Sequence, residues 1–440
     1  NSGTLTVSDE ATLIGDVYLF VTSGSTEWPV SVSIADAALY GESKVVPANV
    51  PEGIEVKEVG GYWGISYENT SYVAAVRGVS YTTLQDAIND AEPGDTILIL
   101  DNVTLAAGLN VDNGDKIIID LNGKTVSYET TENKADDMIV NKGNLTITDN
   151  GEEQSGKLSY KYSGTPNTSY SYDNATIQNE GDLTIKAGTV ENTTADISHA
   201  SYAINTNAGA TLNVEGGKVL NLNGHAIRQV SFGTAANVVN INGGYIEGTR
   251  AVQFQLPGSA SATTAPEMTL TITGGELKSN ESTYNLAVYV YSNGQSAENA
   301  SVSVSGGAVI NGNIALNGAA TASMTEGSAS VTGGTLNGEY GIFSYAEEDT
   351  SNAITITGGT FATNYAEMYA EDGYVFESYV DGEGNTVYGV EPTYSVTIAV
   401  TPADAAVVVK DSEGNEVGAE DDGSYVLTNG TYTYSVTKTG

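Results

Sequence analysis

The stretch NAITITGGTFATNY (352–365) alternates apolar and polar residues, reaches a pair of glycines, and resumes with an apolar residue. The phrase recurs as TLNVEGGKVLN (211–221), VVNINGGYIEG (238–248), LTITGGELKSN (270–280), ASVSVSGGAVING (300–312) and ASVTGGTLNG (329–338). Aligned on the second glycine, at 217, 244, 275, 307, 334 and 359, the copies are spaced 27, 31, 32, 27 and 25 residues apart. Weaker copies, GNLTITDNGEEQSGKL (143–158) and GDLTIKAGTVEN (181–192), keep the Leu-Thr-Ile strand and lose one glycine. A period of this size signals stacked supersecondary units.

Alternation such as Leu270, Ile272 or Ile354, Ile356 marks a strand with one apolar face. The glycine pair then supplies backbone angles closed to other residues and makes a tight bend. An apolar residue two positions later (Val219, Ile246, Leu277, Val309, Leu336, Phe361) opens the next strand. A further apolar step follows in HAIR (225–228), RAVQ (250–253), LAVY (286–289) and YGIF (340–343). Two or three short strands per repeat, with no helical period between them, predict one rung of a parallel β-helix. A four-stranded propeller blade would need roughly 40 residues.

The start of the coil is legible in YTTLQDAINDAEPGDTILIL (81–100). Leu84, Ala87, Ile88 and Ala91 share one helical face, Thr83 is placed to cap it, and Pro93-Gly94 stops it, which predicts a helix over 82–91. A solenoid needs its open end covered, and a short helix across the first rung does that.

These residues resemble the right-handed parallel β-helix group with the pectin-lyase-like fold, in the form found on large surface proteins of gut-type Gram-positive bacteria. The cap helix running into Gly94-Asp95-Thr96-Ile97, the repeated Ile-Thr-Gly-Gly-Thr-Phe phrase and the closing GYVFESYVDGEGNTVYGV (373–390) carry the resemblance, over about residues 72 to 391. It implies an all-β fold and leaves activity open, since such coils serve as enzymes, adhesins and stalks. Residues 1–71 read as a small β module or an extension of the coil. Residues 392–440, with period-2 strands and turn residues, read as a small β-sandwich of the immunoglobulin-like kind, cut short.

Sixteen basic residues stand against 55 acidic ones, a formal charge of −39, which disfavours nucleic acid and anionic membranes as partners. With no cysteine there is no disulfide or thiolate chemistry, and no apolar stretch has the length of a membrane span. The abrupt ends suggest a piece of a longer chain. A surface rich in Asn, Thr, Ser, Gly and Tyr suits an extracellular or cell-wall location.

Enzymes of the resembled fold use an acidic calcium cluster with an arginine base, or several aspartates with a Gly-His-Gly segment. This chain offers three arginines (Arg77, Arg228, Arg250), two histidines (His199, His225) and only NGHA (223–226), which departs from the second pattern. Aligning the rungs on their Ala-Ile or Ala-Val step produces two columns. One reads Gln178, Asn205, Arg228, Gln253, Tyr289, Phe343, and the other Tyr202, His225, Arg250, Leu286, Tyr340. Rungs stack about 4.8 Å apart, so amides, guanidinium groups and aromatic rings form a strip of the kind that holds a sugar chain. Asn205, His225, Arg228, Arg250, Gln253 and Tyr289 are therefore the candidate ligand-binding residues, with no catalytic or metal residue assigned. The bland alternative is a solvated β-face or an inward stacking ladder.

Tyr160, Tyr162, Tyr170 and Tyr172 in the loop 158–174 offer a second stacking lip, or ordinary β residues. The acidic turns DNGD (112–115) and AEDDGS (419–424) leave calcium open as a cofactor without the spacing of a recognised loop. The pairs Asp136-Asp137 and Glu347-Glu348 read as solvated loop charges. The expectation is a non-catalytic bacterial adhesin or glycan-binding stalk, its partner a host or dietary glycan or a host surface glycoprotein. The alternatives are an enzyme acting on acidic polysaccharide and a plain structural spacer.

Overall fold

The computed structural model describes residues 71–131, 136–164, 174–195, 201–207, 209–230, 235–256, 267–292, 300–317, 327–344, 354–401 and 405–438, and the backbone of six strands between residues 4 and 67. It comprises two compact units, residues 1–239 with 244–249, and residues 240–243 with 250–440.

In the first unit each coil contributes three strands, and each strand pairs in parallel with its counterpart one coil on. The first sheet contains Thr96–Ile99, Lys116–Asp120, Asn144–Thr148, Asp182–Ile185 and Thr211–Val214. The second contains Val103–Thr104, Thr125–Thr130, Lys157–Tyr162, Thr189–Asn192 and the start of Lys218–Val230. The third contains Leu109–Val111, Ile139–Asn141, Asn174–Asn179, Ser201–Thr206 and the end of Lys218–Val230. In-register pairing stacks like on like: Ile97, Ile119, Ile147, Ile185 and Val214 form one internal ladder, and Ile139, Ile177, Ile204 and Ile227 another. All are buried, and each such side chain contributes about 1.5–3 kcal/mol relative to exposure. This is a parallel β-solenoid, as the repeat predicts.

The second unit repeats the arrangement. Met268–Ile272, Ala300–Val304, Ser328–Leu336 and Ile354–Phe361 form one parallel face. Glu276–Ser279 and Val309–Asn311 lie on the next, continued by the end of Ser328–Leu336. The end of Tyr245–Leu256, then Leu286–Ser292, Asn313–Asn317 and Ile342–Ser344 form the third.

Neither glycine of the corner has room for a side chain, and the second also needs a backbone angle the first does not. Gly217 takes a φ of +68°, open at low cost only to glycine, and a Cβ there would also collide with the Gly188 carbonyl. Gly216 takes no positive φ; a Cβ there would collide with the Lys186 carbonyl of the preceding coil, so the first glycine is a matter of space. The 300–312 copy departs from the expected alignment. Gly306, not Gly307, carries the positive φ, and Ile310 rather than Val309 stacks between Leu277 and Leu336 in the core. One extra residue at that corner shifts the following strand by one and reverses its faces.

The cap helix spans Leu84–Asp90, shorter than the predicted 82–91, because Ala91 already has extended backbone. Leu84, Ala87 and Ile88 face the core, and Thr83 Oγ1 accepts from Asp86 N. Ala74–Val76 pairs antiparallel with both Val79–Tyr81 and the first coil strand. In the second unit, the antiparallel hairpin Tyr374–Val380 with Thr386–Pro392 joins the last coil strand through Thr360↔Gly389 and Phe361↔Tyr388.

Two small antiparallel sheets follow, Tyr394–Val396 with Tyr425–Leu427, and Ala406–Lys410 with Glu416–Val417 and Thr433–Thr437. They share a small core around Val409, Tyr425 and Leu427. Near the N-terminus Thr4–Val7 pairs in parallel with Ser31–Ile34, and Thr12–Ile14 with Ala38–Tyr40.

Candidate functional site

The third sheet of the first unit differs from the other two. Their strands alternate buried residues with half-buried or exposed ones, as the third sheet's own Leu109–Val111 and Ile139–Asn141 do, whereas every residue of Asn174–Asn179 and Ser201–Thr206 is buried. The column read from the sequence is present in this sheet: Gln178 pairs with Asn205, and Asn205 with Arg228. Its side chains are not an open face. Gln178 is 8 % exposed and Asn205 and Arg228 4 % each, so polar groups lie buried on the side away from the isoleucine ladder. Burial on this scale requires partners. Asn205 Nδ2 donates to Gln178 Oε1 at 2.7 Å, and the Arg228 guanidinium lies 4.9 Å from the centre of the Tyr202 ring.

The second column begins as expected, with Tyr202 paired to His225 and their rings 6.1 Å apart. His225 Nδ1 and Thr249 Oγ1 are 2.9 Å apart. In the second unit Leu286 leaves the column, because it is 2 % exposed and a register shift separates it from Val288. Within the second unit Gln253, Tyr289, Ala315 and Phe343 stack in one column. Ala315 is absent from the column read from the sequence; its rung, Asn313-Ile314-Ala315-Leu316, has a polar residue before the isoleucine.

Arg250, Gln253 and Tyr289 come together within the second unit. The Arg250 guanidinium lies 4.2 Å from the centre of the Tyr289 ring and donates through Nη1 to Gln253 Oε1 at 2.7 Å. Arg250 and Tyr289 are half-buried and Gln253 is buried. A planar cation laid on an aromatic face and fixed by an amide keeps its fork in one orientation.

Several other sequence features resolve differently from expectation. Tyr160 is no stacking lip: it is fully buried beside Tyr128, ring centres 6.0 Å apart, and burial pushes its hydroxyl pKa up, with the Asp137 and Asp136 charges adding to the effect. Tyr170, Tyr172, His199 and the pair Glu347-Glu348 lie outside the described residues. Asp136 and Asp137 are not simply solvated. Tyr128 Oη and Thr130 Oγ1 donate to Asp136 Oδ2 at 2.6 and 2.9 Å, and Ala175 N donates to Asp137 Oδ1 at 2.7 Å. Arg77 pairs with Glu92 and Asp95 beside the cap helix.

The acidic turns hold themselves: Asp115 Oδ2 accepts from Asp112 N at 2.8 Å, and Asp422 Oδ1 from Ser424 N at 2.9 Å. Among the described residues no group of three or more His, Cys, Asp or Glu is placed to hold a metal ion, and no helix is long and apolar enough to cross a membrane.

One feature had no clear signal in the sequence. The glycine corners of the second unit form an open groove of about 490 Å³ ending at Tyr379 and Glu391 of the C-terminal hairpin. Only the repetition of glycine at one corner hinted at it.

Comparison with known proteins gives no match: no family model, no curated protein and no solved structure matches this chain.

Proposed function

We propose that this chain is a non-catalytic, glycan-binding stalk or adhesin displayed outside a bacterial cell, contacting host or dietary glycans or host surface glycoproteins. The observation that carries the reading is the Arg250–Gln253–Tyr289 constellation. A guanidinium fixed by a ring and an amide suits the bidentate grip of a carboxylated or sulfated sugar, and aromatic and amide groups beside it suit ring C–H surfaces and hydroxyls. Asn205 and Arg228, at 4 % exposure, serve this reading as a buried framework rather than as contacts. Single contacts of this kind are weak, and many copies of a stalk on one cell raise the effective affinity. The immunoglobulin-like character of residues 392–440 belongs to the same proposal.

The test is a glycan and mucin array probed with the whole chain and with an Arg250→Ala/Tyr289→Ala variant. Selective binding to acidic glycans, lost in the variant, supports the reading. Absence of binding by both proteins sinks it in favour of a spacer.

A further inference from the structure

The groove at the end of the second unit is built from backbone more than from side chains. Gly307, Gly334 and Gly359 come from three successive coils and leave part of its floor bare backbone. Thr335 and Thr360 pair in register across two of those coils, which sets them about 4.8 Å apart along the floor. At the far end the hairpin turns back over the last coil. Tyr379 packs its ring against Gly389, where an added Cβ would come within 3.2 Å of it. The Tyr379 hydroxyl sits 3.3 Å from Thr360 Oγ1, and the side chain is still 47 % exposed. Glu391 borders the same space.

We propose that this groove binds a neutral saccharide, as a second subsite distinct from the Arg250 constellation; the inference rests on the glycan-binding reading above. Its volume falls in the range of small-ligand sites. A half-exposed aromatic ring takes the C–H face of a pyranose, while threonine hydroxyls, backbone groups and one carboxylate take its hydroxyls. The class of sugar follows from charge. Among the described residues no lysine or arginine lines the groove and Glu391 is its only carboxylate, and the chain carries a formal charge of −39, so an anionic sugar would meet repulsion without a counter-charge.

Gly307 provides a clean test. A Cβ there meets nothing within 4 Å, and its φ is ordinary, so Gly307→Gln fills the groove without straining the coil. The whole chain is titrated calorimetrically with cellohexaose, maltohexaose, xylohexaose and mannohexaose, and in a separate arm with oligogalacturonate. The proteins are wild type, Gly307→Gln, Tyr379→Ala and Arg250→Ala/Tyr289→Ala. The expected result is that at least one neutral hexasaccharide binds the wild type. Its affinity then falls about tenfold or more in Gly307→Gln and Tyr379→Ala and holds in the Arg250/Tyr289 variant. Neutral binding that survives Gly307→Gln overturns the proposal, as does no neutral binding up to about 10 mM. Oligogalacturonate binding lost only in the Arg250/Tyr289 variant leaves the first reading standing whatever becomes of the groove.

Discussion

Asn141 and Asn179, 38 residues apart in sequence, meet one coil apart inside the first unit, where Asn141 Nδ2 donates to Asn179 Oδ1 at 2.8 Å. Asn179 passes the pattern on, donating to Thr206 Oγ1 at 3.2 Å and to the Thr211 carbonyl at 3.0 Å. The Asn141, Asn179 and Thr206 side chains are buried, and the ladder satisfies backbone carbonyls at the corner of the coil. Asn179→Ala removes both the acceptor and the donors. The expected cost is about 1–3 kcal/mol, read as a lower urea midpoint with an unchanged slope.

The unequal room at the corner glycines predicts unequal substitutions. Gly216→Ala drives a methyl group into the Lys186 carbonyl, and Gly217→Ala drives one into the Gly188 carbonyl while forcing alanine to a φ of +68°, the backbone angle alone costing about 1–2 kcal/mol. Gly307→Ala meets open space and should shift stability by no more than about 0.5 kcal/mol. Thermal melts of the three variants check the order, and equal losses would refute it.

Thr83 caps the helix over the first coil by accepting from Asp86 N at 3.2 Å. Thr83→Ala should cost about 1 kcal/mol, and Thr83→Ser should restore most of it. Hydrogen exchange at Ala87 and Ile88, faster in the alanine variant, localises the effect to the helix end.

Two hairpin turns share an Asp-x-Glu-Gly-Asn order and the same bonding. Asp381 Oδ1 accepts from Glu383 N and Asn385 N, and Asp411 Oδ1 from Glu413 N and Asn415 N. Donors from Asn385 and Asn415, backbone and side chain, hold both carboxyl groups below the ordinary value of 3.8. A depressed folded-state pKa means the contribution is fully present above that ordinary value and is lost as pH falls through the folded one. Carboxyl NMR titrations should therefore place both midpoints below 3.8; midpoints at or above it would contradict the turn geometry.

The fold was legible because a solenoid writes its period into the chain: Ile119, Ile147 and Ile185 are the same position on successive coils. What one phrase could not reveal was a single added residue. Val309 looks like Val219 or Ile246 in sequence, yet the slip at Gly306 hands the core position to Ile310. The site was legible in register and illegible in exposure. Alternation placed Asn205 and Arg228 in one column correctly, but periodicity reports which side of a strand a residue occupies, and here both sides of the sheet are buried. The groove at Tyr379 depends on a hairpin folding back over Gly389, a non-local contact that no local pattern encodes.

The most direct measurement compares Arg228→Ala with Arg250→Ala in paired thermal melts and acidic-glycan binding. Arg228, buried against Tyr202, should cost stability on truncation, about 1–3 kcal/mol. Arg250→Ala, at a half-buried position, should cost less stability than Arg228→Ala and abolish binding. A variant Arg250→Ala that binds as well as the wild type would contradict the assignment of recognition to the Arg250–Tyr289 pair.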